Sequence, residues 1–302
     1  MTNLEILGLS WTHLSPAEIE SQIEHSVDRP LSVVNQIDRI TESVWLAVMY
    51  HFGVATYSGE KLLEQANLGV DRAVRYFDDS WWREVATPEG FTEALRNEPA
   101  AIQKACEQPA VSELFRAETE STLRNSMDRE VGRELWFAEI FGISLLNIGL
   151  TGRWEDLDKV ASWFDRVTLT PEFTGNKVPS EYLLALLYMG CSLNPQPVPG
   201  IGDLAQTILD GKSKRAEHFL RAVMAIQNSD QQLFDQAISE SLKLFLSKPV
   251  PGSLERLAAI DVSSLILLAE HRGQSRPSLT AKQKAVVIGR EIFAENPNSE
   301  GA

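Results

Sequence analysis

Five histidines, two cysteines and 42 carboxylates are the side chains of this 302-residue chain that could support acid–base, nucleophilic or metal chemistry. Their spacing organises none of it. His13, His25, His51, His218 and His271 stand apart, outside any His-Glu-x-x-His or Cys/His pattern that would converge two ligands on one ion. Glu217-His218 is an isolated dipeptide. Cys106 and Cys191 lack metal-ligand spacing and read as small buried hydrophobes rather than a disulfide framework. Three acidic groups could hold a hard cation or exchange protons: Asp78-Asp79, Glu118 with Glu120, and Glu155-Asp156 with Asp158. Helical neighbours one or two positions apart diverge around the axis, so they make poor chelates unaided. Nothing resembles a nucleophile elbow, a phosphate-cradling glycine loop or a dinucleotide fingerprint. Gly200-Ile201-Gly202 follows prolines instead of a strand, which is wrong for nucleotide binding. The residues therefore predict no catalytic site, no metal, no cofactor and no enzyme.

Charge is better organised than chemistry. Residues 1–150 carry 24 acidic and 12 basic side chains, whereas residues 151–302 carry 18 and 16. Nearly the whole net charge of −14 belongs to the first half. A phosphate backbone or an anionic bilayer would be repelled by such a chain, so neither nucleic acid nor membrane is expected as partner. Lys212, Lys214 and Arg215 form the best basic cluster and read as a solvated helix start. Asp128, Glu130 and Glu134 fall in the first turns of a predicted helix, where the dipole favours carboxylates, and Glu155, Asp156 and Asp158 sit similarly. Helix starts explain local clusters, but not a two-to-one acidic excess over half the chain.

Helices must position these residues. Capping signals recur: Ser15-Pro16-Ala17-Glu18, Asp28 before Pro30, Ser58, Thr87-Pro88, Ser213, Ser229-Asp230-Gln231-Gln232 and Ser253. Apolar residues three and four apart follow them, as in Leu62, Leu63, Ala66, Val70, Ala73, Val74 and Phe77. The spacing predicts helices through Val44–Met49 ending near Gly53, over Val111–Asn125, over Asp128–Leu150 and over Arg153–Val167. Further helices are expected at Glu181–Gly190, from Ser253 to Ala269 and over Thr280–Ala294. Thr168–Ser180 and Cys191–Gly202 read as loops on their prolines and glycines, and Asn296–Ala302 as a frayed tail. The most apolar helix-length run, Leu135–Leu150, is too short to span a bilayer and contains Glu139. The N-terminus lacks the features of a signal peptide, which makes a cytoplasmic location the simplest expectation. The fold class is all-α, an irregular multi-helix bundle or array with no significant β-sheet. It divides into an acidic helical half, 1–167, and a near-neutral helical half, 168–302, as two units or one continuous domain.

The C-terminal pattern resembles the immunity 49 family of bacterial polymorphic toxin systems. The similarity is carried by Asp230-Gln231-Gln232-Leu233-Phe234-Asp235-Gln236-Ala237 and Leu242–Phe245. A turn follows, then the apolar run Leu254–Ala269 closing on Glu270-His271-Arg272-Gly273. His25-Ser26-Val27-Asp28 before a long amphipathic helix adds to it. The resemblance covers under a third of the chain and carries no partner-contact position with it. It implies a cytoplasmic helical antidote that binds a cognate secreted toxin without turnover, by masking its active site or locking it inactive.

The acidic half suits that role, because carboxylates facing a basic toxin domain would mimic phosphate and speed encounter. The candidate contacts are Asp78, Asp79, Trp81, Trp82, Glu84, Glu118, Glu120, Asp128 and Glu130. They combine carboxylates with adjacent tryptophans of the kind that interfaces use as anchors, although packing of both rings inside a helix junction is the more common use of such a pair. A second reading is a helical-repeat-like scaffold or adaptor that takes a peptide or protein in a groove lined by successive helices.

Overall fold

The computed structural model describes residues 2–9, 36–53, 58–78, 80, 84, 87–96, 100–114, 116–117, 132–167, 169, 180–248 and 257–293, and every regular element among them is helical. In chain order these are α1 (Asn3–Ile6), α2 (Gln36–His51), α3 (Gly59–Tyr76), α4 (Pro88–Arg96) and α5 (Ala100–Cys106). Then come α6 (Gly132–Thr151), α7 (Leu157–Ala161), α8 (Glu181–Leu193), α9 (Ile201–Leu209) and α10 (Lys214–Gln227). The last are α11 (Gln231–Leu246), α12 (Ile260–His271) and α13 (Ala281–Val286), with 3₁₀ turns at Trp154–Asp156, Ser162–Arg166 and Arg290–Phe293. The all-α expectation holds.

Side chains that can accept from orphan N–H groups open most of these helices. Ser58 accepts from Lys61 N–H at 3.2 Å, Thr87 from Gly90 N–H at 3.1 Å and Ser213 from Ala216 N–H at 3.3 Å. Thr2 with Glu5 and Thr280 with Gln283 form reciprocal capping boxes.

The apolar run in α6 now has its reason. This helix packs against α2, α3, α8 and α12, so it has almost no solvent side. Leu146 and Leu150 share one buried cluster with Val44, Ala47, Val48 and Leu267, while Phe137, Phe141, Leu145 and Ile148 join a larger core that runs from Ile40 to Val287. Phe137 stacks on Trp163 at 3.9 Å, and Phe77 meets both edge-on. Each fully buried ring contributes roughly 1.5–3 kcal/mol. An exposed pair such as Lys243–Glu240 is screened by solvent and adds little, so packing dominates. Where α2, α3 and α6 meet, Ser43 donates to Asn147 Oδ1 at 3.0 Å and Asn147 Nδ2 donates to Ile40 C=O at 3.1 Å. Gly69 is required at that crossing, since a Cβ there would lie 2.3 Å from Ser43 Oγ.

Several elements depart from the sequence expectation. Arg153–Val167 is not one amphipathic helix but a 3₁₀–α–3₁₀ succession. The first turn is tied by Arg153 Nε donating to Asp156 at 2.8 Å and Nη1 to Asp71 of α3 at 2.7 Å. α8 runs through Gly190 and Cys191 to Leu193, because Gly190 serves close packing on Phe164 and not termination. α9 lies partly inside the expected loop. Its start is Gly200 at φ +83°, with no side-chain cap to announce it. Asp230, not Ser229, caps α11, accepting from Leu233 N–H at 2.9 Å. α12 begins at Ile260, after Ala259 N–H is drawn to Val286 C=O at 2.7 Å. It ends as expected before Gly273, at φ +85°. Thr280–Ala294 is broken: Val287 is extended, and Ile288 N–H is taken by the buried Ser263 hydroxyl at 2.9 Å. Helical residues occur at 109–114 and 116–117. The expected starts at Ser15, Asp28 and Ser253, together with His13, His25 and the tail, lie outside the described residues.

Candidate functional site

The first candidate is the acidic surface. Two of its nine proposed contacts fall among the described residues, and both are exposed: Asp78 directly after α3 and Glu84 just before α4. Asp79, Trp81, Trp82, Glu118, Glu120, Asp128 and Glu130 lie outside them. Asp78 already has structural work, since its Oδ1 accepts from Ser80 N–H at 2.9 Å and from the Ser80 hydroxyl at 2.6 Å. The Glu84 backbone carbonyl accepts from Thr87 N–H at 3.0 Å, which leaves its carboxylate to solvent. Around them Glu60, Glu64, Glu89, Glu93, Glu107 and Glu113 are exposed as well.

The cations of this region are placed quite differently. Arg72 is only 1% exposed and Arg75 is half-buried. Burial lowers the Arg75 pKa, against the pull of Asp71. Arg96 is exposed but paired with Glu93, which leaves Lys61 and Lys104 as the other exposed cations of the first half among the described residues. Among the described residues of this half, exposed carboxylates therefore outnumber exposed cations by more than the composition alone would give.

The second candidate was not foreseen. A cleft of about 920 Å³ opens between α2, α6, α8, α10, α11 and α12. Its walls are mostly apolar, but Tyr182, Arg215 and Asp261 meet in them. The half-buried Tyr182 donates its hydroxyl to Asp261 Oδ2, and Arg215 Nη2 donates to the same oxygen at 2.9 Å. The Arg215 guanidinium also lies 3.5 Å over the Tyr182 ring centre, a cation–π contact. Burial, then the neighbouring Asp261 charge, pushes the Tyr182 pKa well up, so the phenol stays protonated as a donor. Burial works against the Arg215 charge, but Tyr182 and Asp261 outweigh it and raise its pKa. Lys248 lines the same cleft, its pKa lowered by burial and then by Arg215.

Sequence reasoning took Arg215 for part of a solvated helix start. Both Lys214, which pairs with Glu217 at 2.7 Å, and Arg215 are indeed exposed in the first turn of α10, but Arg215 also reaches Tyr182 and Asp261. No spacing rule connects positions 182, 215 and 261. Only the meeting of α8, α10 and α12 does.

Elsewhere the ionisable groups are structural. Asp156 is buried between Arg153 and Lys159, both at 2.6 Å. Burial alone would raise its pKa, yet these two partners hold it low. Glu155 and Asp158 point away to solvent, as expected for diverging neighbours. Cys106 and Cys191 are buried free thiols, and burial pushes Cys191 up to about 12. Among the described residues no group of three or more His, Cys, Asp or Glu could hold a metal ion, and no helix is long and apolar enough to cross a membrane. What the fold and surface define is an all-α multi-helix protein with many exposed carboxylates in its first half and a polar-footed apolar cleft. No protein-family model matches the chain, and no curated protein or solved structure does either.

Proposed function

We propose that this protein is an immunity protein, which binds a cognate secreted bacterial toxin and neutralises it with the acidic surface of its N-terminal half. The observation that carries the reading is the placement of charge: exposed carboxylates from Glu60 to Glu113 against buried or half-buried Arg72 and Arg75. A surface with an excess of carboxylates raises the encounter rate with a basic protein and disfavours acidic competitors. A toxin that cleaves nucleic acid needs a basic cleft, and such a surface would cover it. The antidote works by occupancy, so the chain needs no catalytic residue and no cofactor. The family resemblance of the C-terminal helices supports the same role, inside the producing cell.

A secreted protein with a toxic C-terminal domain is expected to be encoded beside this chain, and the test uses that domain. Complex formation and protection of growth are expected from the native protein. The triple variant Glu84→Lys, Glu107→Lys, Glu113→Lys changes exposed carboxylates that form no hydrogen bond among the described residues. Its association should slow by about ten-fold or more at low salt, with a shallower salt dependence. An unchanged association rate together with full protection would overturn the placement of the interface. Failure of the two proteins to bind at all would overturn the function.

A further inference from the structure

The cleft has the make-up of a small-molecule site: a volume in the usual ligand range, apolar walls and a few convergent polar groups. Val44, Trp45, Ile143, Leu183, Leu186 and Phe219 supply wall from four helices. Into this wall is set a donor-rich foot. Asp261 Oδ2 takes both the Tyr182 hydroxyl and one Arg215 N–H. A guanidinium has five N–H donors. Beyond Asp261 and Tyr182, those of Arg215 meet no acceptor among the described residues. Lys248 adds a second cation, which feels the charge of Asp261 but forms no ion pair with a carboxylate among the described residues. Glu139 also lines the cleft but forms no ion pair with either cation.

Two cations, Arg215 and Lys248, line the cleft together with two carboxylates, Asp261 and Glu139. A phosphate dianion would meet the repulsion of both carboxylates with twice the charge of a monoanion, so the singly charged ligand is favoured. A carboxylate is planar and presents two oxygens, which suits the free edge of a guanidinium. Apolar wall beside such a foot calls for a hydrocarbon attached to that carboxylate. We infer that the cleft binds a free aliphatic carboxylic acid, with its chain along the apolar wall and its carboxylate held by Arg215 and Lys248. This inference is independent of the acidic surface.

Decanoate and 1-decanol, titrated calorimetrically into the full chain, separate the parts of the claim. Decanoate should bind saturably, one per chain, and the alcohol at least about ten-fold more weakly, as expected when a charge-assisted bond is lost. Lys248→Gln changes an exposed residue, so its fold is not at risk. It should reduce decanoate affinity by about ten-fold and leave decanol unchanged. Arg215→Gln should do the same, with a circular-dichroism spectrum confirming its helices. Absence of saturable decanoate binding, equal affinity for acid and alcohol, or indifference of both variants would each overturn the inference. Unchanged decanoate binding in the Glu84, Glu107 and Glu113 triple variant is expected, and its loss there would place the site elsewhere.

Discussion

His51 ends α2 between α1 and α13, and its hydrogen bonds fix its tautomer. Nε2 lies 3.0 Å from Ala285 C=O, which can only accept, so Nε2 carries the proton. Asn3 Nδ2, 3.1 Å from that nitrogen, donates instead to the His51 carbonyl at 2.7 Å. Burial lowers the His51 pKa from its ordinary 6.5, while the Ala285 carbonyl and Glu291 pull the other way and lose. The unfolded chain therefore takes up the proton first as pH falls. The contribution of His51 to stability is complete above about pH 6.5 and is lost as pH drops through its lower folded value. His271 is shifted the same way, by burial and then by Arg272. Urea unfolding at about pH 7.5 and about pH 5.5 should show a fall in stability that His51→Gln reduces, since glutamine can still donate to Ala285. A fall of the same size in the variant would remove His51 from the account. None of this was legible in sequence, where His51 was one isolated histidine among five. The burial of Cys106 and Cys191 was legible, because a lone cysteine without ligand spacing has few other uses.

At the scale of elements, legibility followed the chemistry of helix ends. Ser58, Thr87 and Ser213 announce α3, α4 and α10, because a hydroxyl before an apolar period has a local job that sequence can display. Where tertiary contact opens or breaks a helix, the sequence carries no such sign. α9 begins at a left-handed glycine, α12 after a backbone bond to Val286, and α13 stops where Ser263 captures Ile288 N–H. The start of α11 was displaced by one residue, since both Ser229 and Asp230 can cap. Backbone geometry decides it: Ser229 sits at φ +53°, while Asp230 has the extended backbone of a cap. Asp230→Ala should therefore destabilise the protein by about 1 kcal/mol, whereas Ser229→Ala should change it by less than about 0.5 kcal/mol. Denaturant midpoints of the two variants measure this, and the reverse order would restore Ser229 as the cap. The cleft belongs to the same scale. Its residues were each visible, but three helices distant in sequence had to pack before Tyr182, Arg215 and Asp261 could meet.

Over the whole molecule, the net charge of −14 acts on the fold and on the proposed partner with opposite signs. Exposed carboxylates in the first half repel one another, with Arg72 withdrawn into the interior and Arg75 half-buried. Salt screens that repulsion over a Debye length of about 10 Å at 0.1 M, so added salt should stabilise the isolated protein. The same screening should slow capture of a basic partner, because steering acts through the same field. A melting temperature that rises between about 10 mM and about 300 mM sodium chloride, measured beside an association rate that falls over the same range, is the expected pair of results. The pair separates two uses of acidity. If the carboxylates served mainly in intramolecular ion pairs, salt would lower the melting temperature. Pairs such as Arg153–Asp71 and Lys159–Asp156 exist, but the exposed acids of α3 to α5 outnumber their exposed basic neighbours. A melting temperature that falls with salt would show that this acidity serves the fold, and the acidic face would lose its claim to be kept for a partner.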